Sequence, residues 1–107
     1  MSDKKKKHHQ IQIELDDKTG QGEYTNLAVV THSQAEFILD FIRMAPGLPK
    51  AKVKSRIIMA PTHVKTLAKI LQDNIKKYED KFGTIKSQAP ENIQQLGFKM
   101  PDDVLPN

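Results

Sequence analysis

Residues 61–83, PTHVKTLAKILQDNIKKYEDKFG, constrain the fold of this chain more than any other stretch. Val64, Leu67, Ala68, Leu71, Ile75, Tyr78 and Phe82 recur at three- and four-residue steps, which puts them on one stripe of an α-helix. Lys65, Lys69, Gln72, Asp73, Lys76, Lys77, Asp80 and Lys81 occupy the rest of its surface. Pro61 suits a first helical position, where its missing N–H has no intrahelical partner. Gly83 suits the left-handed residue that closes a helix. Asp73–Lys77 and Lys76–Asp80 stand four apart, each pair contributing about a few tenths of a kcal/mol. A helix of this kind needs an apolar partner surface, and the preceding chain has to supply it.

Residues 50–59 carry the cleanest alternation: Ala51, Val53, Ser55, Ile57 and Met59 against Lys50, Lys52, Lys54 and Arg56. The segment before them reads two ways. Ser33-Gln34-Ala35-Glu36 matches a capping box, with Phe37, Ile38, Phe41 and Ile42 as a helical stripe. Period two instead puts Phe37, Leu39 and Phe41 on one face and Ile38, Asp40 and Ile42 on the other. Aromatic and β-branched density favours the strand. Pairing favours it too. Folded back antiparallel across the proline-containing loop 45–49, this segment sets Leu39 opposite Ile57, Phe37 opposite Met59, and Asp40 opposite Arg56.

Two more strands are expected, at 10–15, where Ile11, Ile13 and Leu15 alternate with polar residues, and at 24–31, YTNLAVVT. Residues 16–22 between them are a loop by composition. The expected fold class is α+β: a small antiparallel sheet of about four strands in a meander, with one long C-terminal helix packed on one face. Residues 1–9 form a basic mobile arm, 10–83 the single domain, and 84–107, with three prolines and no sustained period, an irregular tail.

Composition narrows the function. The chain has 107 residues, a net charge of +4 and no cysteine, which removes disulfides, zinc–thiolate sites and cysteine nucleophiles. Four lysines less Asp3 in residues 1–9 account for +3 of that charge, leaving +1 elsewhere, so nucleic-acid binding does not follow from the total. No apolar run is long enough to span a membrane, and no apolar h-region follows the N-terminal lysines. A cytoplasmic, bacterial-style protein without cofactors is the expectation.

Residues 23–41 and 54–83 resemble bacterial domain-of-unknown-function family 3467. The likeness rests on HSxxEFxLDF from His32, MxPxHxKxL from Met59 and NIxxYExxFG from Asn74, distinctive in combination though each is weak alone. It covers about the middle two-thirds of the chain and leaves out the basic arm and the tail. The resemblance implies a strand at 36–41 and a strand–helix junction at 59–61. It brings no activity, cofactor or catalytic residue. Where the family pattern often has serine before the proline, this chain has Ala60, which cannot cap, at a cost of about 1 kcal/mol.

Chemistry-bearing residues are few. His32 and His63 sit at junctions, where a surface or capping role outweighs metal ligation without a carboxylate partner. His8 and His9 adjoin Lys4–Lys7, whose charge opposes cation binding. Asp16-Asp17 belongs to a turn, and Glu36 and Asp40 face basic strand neighbours. No Ser–His–Asp pattern, phosphate loop or EF-hand spacing is present. An enzyme is not expected. Lys50, Lys52, Lys54 and Arg56 form a candidate nucleic-acid-binding row, about 20 Å long on one strand face, though without aromatics to stack bases.

Ile38, Ile42 and Ile58 are left on the sheet face that one helix cannot cover, and they form a candidate homodimer interface. The leading expectation is a non-catalytic, homo-oligomeric protein-interaction module engaging another protein. The alternative is a nucleic-acid binder using the basic strand and the lysine arm. Export-chaperone subunits of the SecB kind are also built from a sheet and a long helix with apolar faces between subunits, a likeness of architecture alone.

Overall fold

Three antiparallel strands and one long helix are present in a computed structural model that describes residues 10–47 and 49–87. In chain order these are a single helical turn α1 (Asp17–Gly20), strands β1 (Leu27–His32), β2 (Phe37–Arg43) and β3 (Lys52–Met59), and helix α2 (Pro61–Phe82). The sheet order is β1-β2-β3, a meander. The α+β class and the long C-terminal helix are as the sequence predicts, with three strands in place of about four. Residues 1–9 and 88–107, which include the basic arm and most of the predicted tail, lie outside the described residues.

The missing fourth strand is the segment 10–15. It belongs to no ladder, and Ile13 is 96% exposed. Alternation makes a segment able to be a strand, but a strand exists only when a neighbour pairs with its backbone. The predicted loop that follows contains α1. Asp16 caps this turn by accepting from the Thr19 N–H at 3.5 Å, and the Gly20 N–H donates to the Asp16 carbonyl. Hydrogen bonding with Thr19 holds the Asp16 carboxyl below its ordinary pKa. Its stabilisation is therefore fully present above the ordinary value and is lost as pH falls from there through the lowered one.

The β2–β3 pairing follows the predicted register: Phe37 faces Met59, Leu39 faces Ile57 and Asp40 faces Arg56. The capping-box alternative loses. Ser33 and Glu36 instead close the β1–β2 hairpin, with the Ser33 N–H on the Glu36 carbonyl at 2.9 Å and Ser33 Oγ accepting from the Ala35 N–H. At the far end of that hairpin, Asn26 acts as an extra rung. Its Nδ2 donates to the Met44 carbonyl at 2.9 Å, while its Oδ1 accepts from the Met44 N–H at 2.7 Å.

Beyond Phe41 a β-bulge enters β3. Phe41 pairs with Ser55 and Ile42 with Val53, so Lys54 is the extra residue. A one-residue shift exchanges faces for everything on the far side of it. Val53 and Ala51 therefore join the Ile42 face rather than the Ile57–Met59 face predicted by strict alternation. The shift has a packing consequence, because Val29 and Ile42 form the buried apolar cluster and Leu27 and Ala51 pack against it.

Among the described residues the buried apolar side chains are Val29, Leu39 and Ile42, a thin core for a chain of this length. Helix α2 adds nothing to it. None of its residues is buried, and only Val64, Leu67 and Glu79 are half-buried. The close element contacts run from β1 to β2 and from β2 to β3, with no comparable contact between α2 and a strand. Within one chain the helix is thus not laid across the sheet. Ala60 precedes it without a side-chain cap, and Pro61 opens it. Gly83 closes it at φ +99°, a conformation that strains L side chains.

Candidate interaction surfaces

Strand pairing sorts the predicted surface residues by face. Leu27, Val29 and Thr31 share one face with Ile38, Asp40 and Ile42 and with Val53, Arg56 and Ile58. Ala28, Val30 and His32 share the other with Phe37, Leu39 and Phe41 and with Ser55, Ile57 and Met59. The three isoleucines of the predicted dimer interface do lie on one face, but their environments differ. Ile42 is buried within the chain, Ile38 is half-buried, and Ile58 is 54% exposed. What this face still offers a second molecule is Ile58, Val53 and the edge of Ile38.

At the centre of the same face lies Asp40, which is fully buried. Its carboxylate is gripped by Arg56 in a fork, Nε to Oδ1 at 2.7 Å and Nη2 to Oδ2 at 2.9 Å. The pair spans β2 and β3 and neutralises the carboxylate in the interior. Arg56 stays about one-third exposed at its outer edge.

The predicted basic row is not a row. Arg56 is on the Ile42 face, committed to Asp40; Lys54 is at the bulge; Lys52 faces Arg43 on the opposite side; and Lys50 precedes β3. The bulge, invisible in the alternation, distributes the charges over both faces, so a single phosphate backbone does not meet them in line.

The histidines have local tasks. His32 stacks on its cross-strand neighbour Phe37, centroids 5.2 Å apart. The His63 N–H joins the first turn of α2 by donating to the Ala60 carbonyl. Among the described residues, no three His, Cys, Asp or Glu side chains gather closely enough to hold a metal ion. No helix of the described residues is long and apolar enough to cross a membrane.

Helix α2 carries an exposed apolar stripe. Leu71, Ile75, Tyr78 and Phe82 are each about half exposed or more, Leu71 at 53% and Phe82 at 65%. The Tyr78 and Phe82 rings lean on each other at 5.0 Å. On the polar side Lys76 pairs with Asp80 at 3.2 Å as expected, while Asp73 takes Lys69 rather than Lys77. Glu79 is drawn back toward the chain end, its Oε2 accepting from the Ile85 N–H at 2.8 Å. Sequence reasoning placed the stripe correctly, but it assigned the stripe to this chain's own sheet. It also passed over Asn26 and Glu79, whose bonds reach backbone groups 18 and 6 residues away and leave no local signature.

A family model described as a protein of unknown function, DUF3467, matches residues 1–87. The match includes the basic arm, which the motifs alone had left outside. No curated protein and no solved structure matches the chain.

Proposed function

The chain belongs to the DUF3467 family, whose description carries no activity, and we propose from its surfaces that it is a non-catalytic, homo-oligomeric protein-interaction module. The observation that carries this reading is α2: a 22-residue amphipathic helix with no buried residue. An apolar stripe of that length, left in water, is a liability that association removes. The half-open sheet face at Ile38 and Ile58 is a second surface of the same kind. Four of the acid–base side chains among the described residues have structural work. Asp40 is held by Arg56, Asp16 caps α1, His32 stacks on Phe37, and Glu79 anchors Ile85.

Sedimentation of the full chain at about 50 µM, a concentration that populates even a micromolar dimer, tests the reading. An oligomer insensitive to salt between low and physiological strength is the expected result. A monomer that binds nucleic acid with steep salt dependence would replace it with the nucleic-acid reading.

A further inference from the structure

We propose that two copies of this chain pair through α2 as an antiparallel helix pair, with Val64 against the partner's Phe82, Ala68 against the partner's Tyr78, and Leu71 against the partner's Ile75. The inference rests on the homo-oligomeric reading above and supplies its geometry.

Spacing comes first. Val64, Ala68, Leu71, Ile75, Tyr78 and Phe82 are separated by alternating steps of four and three, unbroken along α2. That is the 3.5-residue repeat of a helix seam that meets another helix, narrower than the stripe of a helix lying on a sheet. Apart from half-buried Val64 these residues are exposed, and from Leu71 onward every seam position is about half open or more; Ile70, also about half exposed, lies off the seam.

Side-chain volume then selects the direction. The seam is small at its start, with Val64 and Ala68, and aromatic at its end, with Tyr78 and Phe82. A parallel pair would stack Ala68 on Ala68 and Phe82 on Phe82, alternating voids with crowding, both of which cost packing energy. An antiparallel pair sets small against large at each end and Leu71 against Ile75 in the middle, so that every layer has similar volume.

Charge selects the same direction independently. Lys65 and Glu79 each follow a seam residue by one position. In the antiparallel pair Lys65 flanks the seam opposite the partner's Glu79, and the two-fold axis makes the contact twice. The Glu79 oxygen not holding the Ile85 N–H is available for it. The parallel alternative brings Leu67 beside Gln72 and Asn74 beside Glu79, with no ion pair. Antiparallel alignment also sets the two helix dipoles head to tail. On the other flank, Leu67 meets the stem of the partner's Lys81, a contact suited to an aliphatic chain with a charged tip.

The chain has no cysteine, so Lys65→Cys and Glu79→Cys are clean reporters in the full-length protein. An equimolar mixture treated with a short bismaleimide should yield a covalent dimer, and either variant alone should yield little. Lys65→Glu should weaken dimerisation roughly tenfold by replacing two attractions with two repulsions. Lys65→Glu combined with Glu79→Lys should return it to within about twofold of wild type. Circular dichroism of each variant establishes that α2 is intact. A wild-type dimer whose mixed variants cross-link no better than the single ones overturns the helix pairing while leaving the homo-oligomeric reading in place. A wild-type monomer at about 50 µM overturns both, and assigns the stripe to a segment of the same chain.

Discussion

Asp40 and Arg56 show how unequal the two ends of one ion pair can be. The carboxylate is fully buried, whereas the guanidinium keeps an edge in water. Removing the arginine strands a charge in the interior; removing the acid leaves an arginine able to turn outward. Arg56→Met should therefore cost about 3–5 kcal/mol. Asp40→Asn should cost less, about 1–3 kcal/mol, since the amide oxygen still accepts one Arg56 bond while its NH2 loses the other. Urea midpoints of the two variants check the order; equal losses would mean that the pair is as exposed at one end as at the other. Ala60 offers a change in the opposite direction. It stands at the N-cap of α2 with extended backbone and no side-chain acceptor. Ala60→Ser should add about 1 kcal/mol of stability by giving the Thr62 N–H a side-chain acceptor. A thermal midpoint that does not rise would show that amide to be satisfied already.

At the scale of elements, identical sequence patterns met different outcomes. Residues 10–15 and residues 52–59 both alternate, yet only the second became a strand. Segment 37–43 accounts for the difference. It pairs with a neighbour on each side and contributes Leu39, Asp40 and Ile42 to the interior. Leu39→Ala should lower stability by about 2–4 kcal/mol, the loss associated with a buried leucine. Ile13→Ser should stay within about 0.5 kcal/mol of wild type, because that side chain is already in water. Chemical denaturation of both reads the contrast directly, and a large loss for Ile13→Ser would mean that residues 10–15 are paired in solution. The bulge at Lys54 is the element-scale feature with the widest effect. One extra residue moves Ala51 and Val53 toward the Ile42 cluster and disperses the lysines.

For the whole molecule, the proposed pairing of copies, together with the thin core and the bare helix, makes stability a property of the assembly as much as of the chain. Stability shared between copies rises with their concentration by mass action. The thermal midpoint of the wild type should therefore climb as protein concentration is raised over two decades. Leu71→Asp, a charge in the middle of the α2 stripe, should lower that midpoint and remove its concentration dependence. A midpoint constant across the range would show that one chain folds on its own contacts.

The local choices were legible in the sequence because each is decided within a few residues or by one complementary pair. The 61–82 stripe with Pro61 at its head specified α2, and apolar-to-apolar and acid-to-base matching specified the β2–β3 register down to Asp40–Arg56. Tertiary structure alone decided the rest. Whether residues 10–15 found a partner strand, where β3 inserted its bulge, and whether α2 lay on its own sheet all depend on backbone and packing contacts between distant segments. Alternation and amphipathicity state that a surface must be covered; they are silent on what covers it, because burial is non-directional and any matching apolar face will serve.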